Sequence, residues 1–287
     1  MRSMLFVPGD RPERFEKAEA SGADAVILDL EDAVAADRRP QARQSIAAHL
    51  RRTARRVPLW VRINPVGTTD VLADLAATIP AKPDGVLLPK ASSGADVARL
   101  DHWLEALEVA HGLSPGAIKV IPMITETAKA MLSLASFTSA PSRVVGMTWG
   151  AEDLATELGA SSSRDQSGRY ELPFQMASSG CLFVAAAAGV AAIDTVDTEI
   201  KDLEAVERRA RASRSIGFTA KLAIHPAQIG ALHAAFTPSA AEIAQAERIL
   251  EAFARSPGVG ALSVDGKLVD RPHVVLAERI LAAAGRR

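Results

Sequence analysis

Asp24-Ala-Val-Ile-Leu-Asp-Leu-Glu-Asp-Ala-Val34 sets a short apolar run directly against the carboxylates of Asp29, Glu31 and Asp32. Residues 25–29, rich in β-branched side chains and preceded by the Ser21-Gly22 break, read as a strand. Side chains alternate along a strand, so Asp29 and Glu31 share a face and Asp32 lies just past the end. Like charges this close repel, and burial raises their cost unless cations or donors stand beside them. Two readings are open at this point. Glu31 and Asp32 could cap the turn at Ala33-Val34-Ala35, or the acids could belong to a functional site.

The neighbouring stretches repeat the pattern. Residues 3–7 form an apolar run closed by Pro8-Gly9, and a helix opens at Asp10-Arg11-Pro12. An amphipathic helix is predicted over 41–56, a strand over 59–63 ending at Asn64-Pro65, and a helix over 69–79. Strand 85–88 ends at Pro89-Lys90, and helix 94–111 follows. Strand 118–123 ends at Thr125-Glu126-Thr127, and strand 143–148 ends at Trp149-Gly150-Ala151-Glu152-Asp153. A polar loop over 159–170 leads into a long Ala-rich helix, then strand 192–195, helix 203–216 and strand 220–224, which ends at His225-Pro226. Eight alternating β and α units imply a parallel sheet, and their number and spacing fit a (β/α)8 TIM barrel better than a doubly wound sheet. The barrel is expected over 1–237. Residues 238–287 form a C-terminal appendage: a helix, a Gly-rich stretch, a turn at Asp265-Gly266 and a last helix.

Composition narrows the class. The chain has 287 residues, 48% apolar and 23% charged, with 33 basic against 34 acidic side chains, so it can bury a large core and offers no basic surface for nucleic acid. The doublets Arg51-Arg52 and Arg55-Arg56 read as the solvated face of a helix. Cys181, the single cysteine, sits in an Ala-rich run and reads as a buried thiol. Met1-Arg2-Ser3 leads straight into the first strand with no signal-peptide core, and the longest apolar run is too short to span a membrane. A cytoplasmic protein with no membrane or nucleic-acid partner is expected.

In such a barrel the active site lies at the C-terminal ends of the strands. Those ends deliver Asp29, Glu31, Asp32, Arg62, Asn64, Lys90, Glu126, Glu152, Asp153, Asp194 and His225. Helix capping explains one or two of them, not the whole series. No thiol nucleophile, GxSxG, GxGxxG or P-loop is present. Carboxylates from several strands, without His or Cys beside them, are the oxygen-ligand set of a hard cation such as Mg2+. Arg62 is the natural bidentate partner for a substrate carboxylate. A metal beside an anchored carboxylate stabilises an enolate or alkoxide, which points to aldol-type C–C chemistry on a 2-oxo acid.

The motifs RSMLFVPGDRPERFEKA, GADAVILDLEDAV, VRIN, LLPK, TWGAEDLATELG and GFTAKLAIHPAQI, taken in order, resemble the HpcH/HpaI aldolase and citrate lyase family. The likeness runs from Arg2 to about Ala284 and is nearest the stand-alone citrate lyase beta-subunit-like proteins, including malyl-CoA and citramalyl-CoA lyases. It implies a TIM barrel, Mg2+, a CoA thioester, and a homotrimer or dimer of trimers. By position, Glu126 and Asp153 resemble metal ligands, with Glu126 also facing the substrate. Arg62 resembles the arginine holding the oxo-acid carboxylate, helped by the backbone N–H groups of Gly150 and Ala151. Glu31 and Asp32 resemble catalytic acids that order water, while Asp29 is expected to be structural. Lys90, Lys221 and His225 resemble the rim near CoA. The tail resembles a lid in which Asp270 acts as acid/base in a neighbouring subunit's site.

Two departures bear on carrier recognition: Ser178-Ser179-Gly180 replaces an arginine-bearing run, and Arg38 replaces a lysine. The resemblance implies a lyase that releases acetyl-CoA and a 2-oxo acid. A malyl-CoA-type thioesterase and a non-catalytic acyl-CoA-binding barrel are the alternatives. Bland readings stand beside the assignments: helix caps for Glu126, Asp153 and Asp270, an ion pair to Glu31 or Asp32 for Arg62, and a structural role for His225. Trp149 is expected as pocket wall. His102, His111, His233 and His273 have no zinc spacing.

Overall fold

A computed structural model of the chain describes residues 1–285 and carries all eight predicted strands in one sheet. The first units are β1 (Ser3–Pro8), α1 (Phe15–Glu19), β2 (Ala25–Asp29), α2 (Arg39–Leu50), β3 (Leu59–Arg62) and α3 (Asp70–Thr78). They continue with β4 (Gly85–Leu88), α4 (Gly94–Ala110), β5 (Lys119–Pro122), α5 (Ala128–Met131), β6 (Gly146–Thr148) and α6 (Ala151–Leu158). The series ends with α7 (Leu172–Ala187), β7 (Ala191–Asp194), α8 (Leu203–Ile216), β8 (Ala220–Ala223) and α9 (Gln228–Phe236). Strand order is β5-β4-β3-β2-β1-β8-β7-β6, and the paired neighbours run parallel. The two edges meet: Val120 N–H donates to Arg143 O at 3.0 Å and Ile124 N–H to Thr148 O at 2.9 Å. The sheet is therefore a nearly closed TIM-type barrel, and the expected fold class holds.

The pleat decides what faces inward. Met4, Ala25, Ile27, Trp60, Leu87, Ile121, Ile193, Ala220 and Leu222 share the interior core. Continuing the same alternation by two residues carries Phe6, Asp29 and Arg62 to the mouth. Asp29 and Arg62 are register partners across β2 and β3. At the other end, Gly85 makes room for the Trp60 ring, which a Cβ would meet at 2.3 Å.

Several boundaries differ from expectation. Helix α2 stops at Leu50, not Arg56, so the arginine doublets are not a helix face. Arg55 instead reaches back to the carbonyls of Leu50, Ala81 and Lys82, closing the end of α2 and the turn before β4. Helix α6 takes up Ala151, Glu152 and Asp153, expected as the rim after β6, and runs on to Leu158, a stretch with no expected element, because Gly150 at its N-cap follows closely on the end of β6.

The chain divides into two compact units, Met1–Leu232 and the part from His233 onward. The second holds α10 (Ala240–Ala254), β9 (Ala261–Val264), β10 (Lys267–Asp270) and α11 (Arg271–Ala283) around its own core of Ala246, Ile249, Val264, Val269, Val274 and Ala277. Ser239 and Glu242 form a reciprocal capping box on α10. The expected turn at Asp265-Gly266 is the tip of an antiparallel hairpin, with φ of 51° and 75°, the two left-handed positions a tight two-residue hairpin needs. Among the described residues no helix is long and apolar enough to cross a membrane.

Candidate active site

The mouth of the barrel is a cavity of about 270 Å3 whose lining includes Phe6, Asp29, Asp32, Arg62, Glu126, Gly150, Ala151 and Asp153. Arg62 is held from below and from the side. Its Nε and Nη2 donate to the two Asp29 oxygens at 2.7 and 2.6 Å, Nη1 donates to Asp32 at 3.1 Å, and the Glu31 carboxylate lies 3.2 Å away. Phe6 packs its ring face 4.8 Å from the guanidinium carbon. The Nε/Nη2 fork is thus taken by Asp29, which leaves the Nη1/Nη2 edge for the expected substrate carboxylate. With Nη1 also given to Asp32, one hydrogen on each of Nη1 and Nη2 is what Arg62 can still offer. Asp29 is structural, as expected: it also accepts the Glu31 and Ala33 N–H groups and shapes the turn that presents Glu31 and Asp32.

Lys90 does not face outward as a CoA-rim residue. Its ammonium lies among the carboxylates, bonded to Glu31, to Asp32 at 2.9 Å and to Asp153 at 3.1 Å. Its backbone is left-handed, φ 51°, and that turn aims its N–H at Glu126 Oε2, 2.6 Å away. Glu126 is 2% exposed and lies against the Cα of Gly150, where any Cβ would come within 2.6 Å of Oε1. Glycine at 150 is therefore a packing requirement of the Glu126 carboxylate. Asp153 stands in the first turn of α6, where the helix dipole favours an anion.

Among the described residues carboxylates outnumber cations here: Asp29, Glu31, Asp32, Glu126 and Asp153 stand against Arg62 and Lys90. Burial, against the pull of Arg62, raises the Glu31 carboxyl to about 7. Burial and then the Asp153 charge push Glu126 well above the ordinary range. Burial opposes ionisation of Asp32, but its hydrogen bond with Glu31 and the Lys90 and Arg62 charges outweigh it and hold that carboxyl low. Such a site gains from a further cation. Among the described residues no three His, Cys, Asp or Glu side chains form a ready metal cluster. Glu126 and Asp153 are nevertheless tied to one residue, Lys90, whose ammonium occupies a cationic position beside Asp153. Mg2+ takes only one or two protein carboxylates and completes its shell with water or substrate oxygen, so the donor set fits it.

Other expected site residues lie elsewhere. Lys221 is not on the rim. Ala220 and Leu222 face the barrel interior, so Lys221 points outward, 2% exposed and paired with Asp194 at 2.6 Å. Trp149 walls that outer region rather than the mouth, donating its indole N–H to Asp194 at 2.8 Å. His225 is exposed after β8, its Nδ1 accepting from Ala227 N–H. Asp270, in the second unit, stands at the N-cap of α11 with its carboxylate 2.6 Å from His273 Nδ1. Asn64, expected at the rim, instead binds a residue with no sequence signal, Asp74: Asn64 N–H and Nδ2 both bond the fully buried Asp74 carboxylate, and Nδ2 also bonds Leu30 O just before Glu31.

Fold and site together define the class: a TIM-barrel protein whose C-terminal mouth is a half-buried, carboxylate-rich cavity with a fixed arginine. Within that class, the profile of the HpcH/HpaI aldolase/citrate lyase family matches residues 2–226, and the chain belongs to that family. It is 40% identical over 281 residues to the citrate lyase subunit beta-like protein of Mycobacterium tuberculosis, covering 98% of this chain and 94% of the relative. It is 38% identical over 292 residues to a (3S)-malyl-CoA thioesterase of Cereibacter sphaeroides, covering 99% and 94%. The structure of the CitE protein of Mycobacterium tuberculosis in complex with magnesium, acetoacetate and coenzyme A superposes with a TM-score of 0.83 at 38% identity, covering 99% of this chain and 98% of that one. These relatives place the chain among citrate lyase beta-like proteins, a lyase-type enzyme group.

Proposed function

We propose that the protein cleaves a malyl-, citramalyl- or citryl-type CoA thioester to acetyl-CoA and a 2-oxo acid, with Mg2+ held by Glu126 and Asp153. The observation that carries this reading is the excess of carboxylate, buried at Asp29, Glu31 and Glu126 and half-buried at Asp153, around an immobilised arginine at the barrel mouth. Mg2+ bound there supplies Lewis acidity toward the carbinol or carbonyl oxygen of the substrate. Arg62, with its Nε/Nη2 fork on Asp29, offers Nη hydrogens to the substrate carboxylate, and the N–H groups of Gly150 and Ala151 at the start of α6 support the same anion. Glu31, whose carboxyl titrates near neutrality, accepts the hydroxyl proton as the C–C bond breaks, and Asp32 orders water beside it. Asp270, delivered by a neighbouring subunit's C-terminal unit in a homotrimer or dimer of trimers, protonates the thioester α-carbon. His225 remains available to the CoA chain; Lys90 and Lys221 are committed to carboxylates and act in positioning. A barrel domain over 1–237 and a lid over 238–287 suit this division of labour, and the small-molecule chemistry suits a cytoplasmic enzyme.

The name of the Cereibacter relatives favours one second reading, hydrolysis of the same kind of thioester with release of free CoA. A parallel assay on malyl-CoA and citramalyl-CoA separates the two. Acetyl-CoA with its matching oxo acid, abolished by EDTA, is the expected result. Free CoA with intact hydroxy acid would replace the lyase by the thioesterase, and no turnover of either substrate would leave a non-catalytic acyl-CoA-binding barrel.

A further inference from the structure

Outside the barrel, between the outer face of β7–β8 and the helices α7 and α8, lies a second cavity of about 520 Å3, larger than the mouth. Its floor follows from the strand pleat. Ile193, Ala220 and Leu222 point into the barrel, so Asp194 and Lys221 point out and pair there, each almost fully buried. The small side chains of Ser178 and Ser179 leave the space open.

Its hydrogen-bonding balance is one-sided. Asp194 has no acceptor capacity to spare: Oδ1 takes Trp149 Nε1 and Thr195 N–H, and Oδ2 takes Ser213 Oγ and Lys221. Donors, by contrast, are left over. Lys221 carries three N–H groups and uses one on Asp194. Ser178, 9% exposed, lines the cavity and makes no side-chain hydrogen bond among the described residues. Arg209 spends Nε and Nη2 on Asp197 and keeps Nη1. Charge tilts the same way. Asp194 and Asp197 neutralise Lys221 and Arg209, while Arg164 and Arg169 on the wall form no salt bridge among the described residues. Arg164 instead lies 3.6 Å over the Tyr170 ring, extending a flat wall into the cavity.

A half-buried, net-positive pocket with unspent donors and no spare acceptor suits an acceptor-rich anion. We propose that this cavity is a second ligand site for a small organic dianion, a phosphate ester or a dicarboxylate, separate from the mouth of the barrel. Its charged group takes the unspent donors of Lys221, Ser178 and Arg209, and its body lies on Tyr170. The site is wired to the mouth: Trp149 precedes Gly150, and Thr195, whose N–H is held by Asp194, lines the first cavity. This assignment stands whichever reaction the mouth performs.

Calorimetric titration of the full-length chain with glycerol 3-phosphate and, separately, succinate tests it and tells the two anion sources apart. The expected result is saturable binding of one probe at one site per chain, abolished by Ser178→Arg, which fills the cavity. Arg164→Gln should weaken it about fivefold, and Arg62→Lys at the mouth should leave it unchanged. Arg164 sits on a surface loop, so its variant decides the matter should Ser178→Arg fail to fold. Binding that survives both substitutions, binding lost only in Arg62→Lys, or no saturation by either probe at millimolar concentration would each overturn the proposal.

Discussion

Lys90 shows how much one residue can organise. A left-handed backbone costs a non-glycine residue about 1–2 kcal/mol, and here it buys two placements: the N–H on Glu126 and the ammonium among Glu31, Asp32 and Asp153. The Glu126 carboxylate is equally dependent on the missing side chain of Gly150. Gly150→Ala should therefore displace Glu126 and lower Mg2+ affinity about 10–100-fold, read by calorimetry, with kcat falling alongside; unchanged affinity would remove Glu126 from the metal site. The raised carboxyls set a pH dependence. Glu31 has a folded value of about 7 against 4.5 in the unfolded chain, so the folded, metal-free protein holds the extra proton between them. Its contribution is favourable below 4.5 and is lost as pH rises through about 7. The EDTA-treated protein should lose Tm over that interval, and added Mg2+ should restore more Tm at the alkaline end, because ionised carboxylates are what the cation binds. A Mg2+-induced Tm gain that shrinks as pH rises would contradict this picture.

At the scale of elements, β3 and α3 are joined by a buried polar link. Asp74 satisfies Asn64 N–H and Nδ2 and also pairs with Arg43, while Asn64 holds Leu30 O, the residue before the acidic turn. Asp74→Ala should destabilise the protein by about 3 kcal/mol or more, since it strands buried donors; urea unfolding measures it. The hairpin β9–β10 offers a control. Gly266, at φ 75°, becomes strained on substitution, so Gly266→Ala should cost about 1 kcal/mol and leave Mg2+ binding at the barrel mouth untouched. The elements themselves were legible to unequal degrees. Strand β4 and helix α8 were readable because an apolar run or an amphipathic stripe is bracketed by Gly, Pro or Asp. Helix α6 was not, because its polar first turn is also the rim, and β9 and β10 were not, because four-residue strands with exposed alternate positions carry little periodic signal.

At the scale of the whole molecule, the proposal that Asp270 acts in a neighbouring subunit's site makes a prediction. If Asp270 is donated in trans, Asp270→Asn and Glu126→Gln should each reduce turnover about 10^2-fold or more, and mixing the two inactive proteins under conditions of subunit exchange should restore activity that neither has alone. Failure to complement, with exchange verified by a tagged subunit, would assign Asp270 to the capping role it plays beside His273.

By itself, the sequence determined the architecture and the neighbourhood of the site. Eight apolar runs ending in polar residues have one economical arrangement, and the period of two along each strand fixes which residue reaches the mouth. Asp29, Glu31, Arg62 and Glu126 were identifiable on those grounds. Tertiary structure alone decided which charge meets which. Arg62 gives its fork to Asp29 because β2 and β3 pair in that register. Lys90 turns inward because its backbone is left-handed. Lys221 faces away from the mouth and Asp194 becomes the floor of a second cavity because β7 and β8 align them on the outer face. These pairings join residues roughly 30 to 60 positions apart, and their energies depend on burial and distance, neither of which any local pattern in the chain encodes.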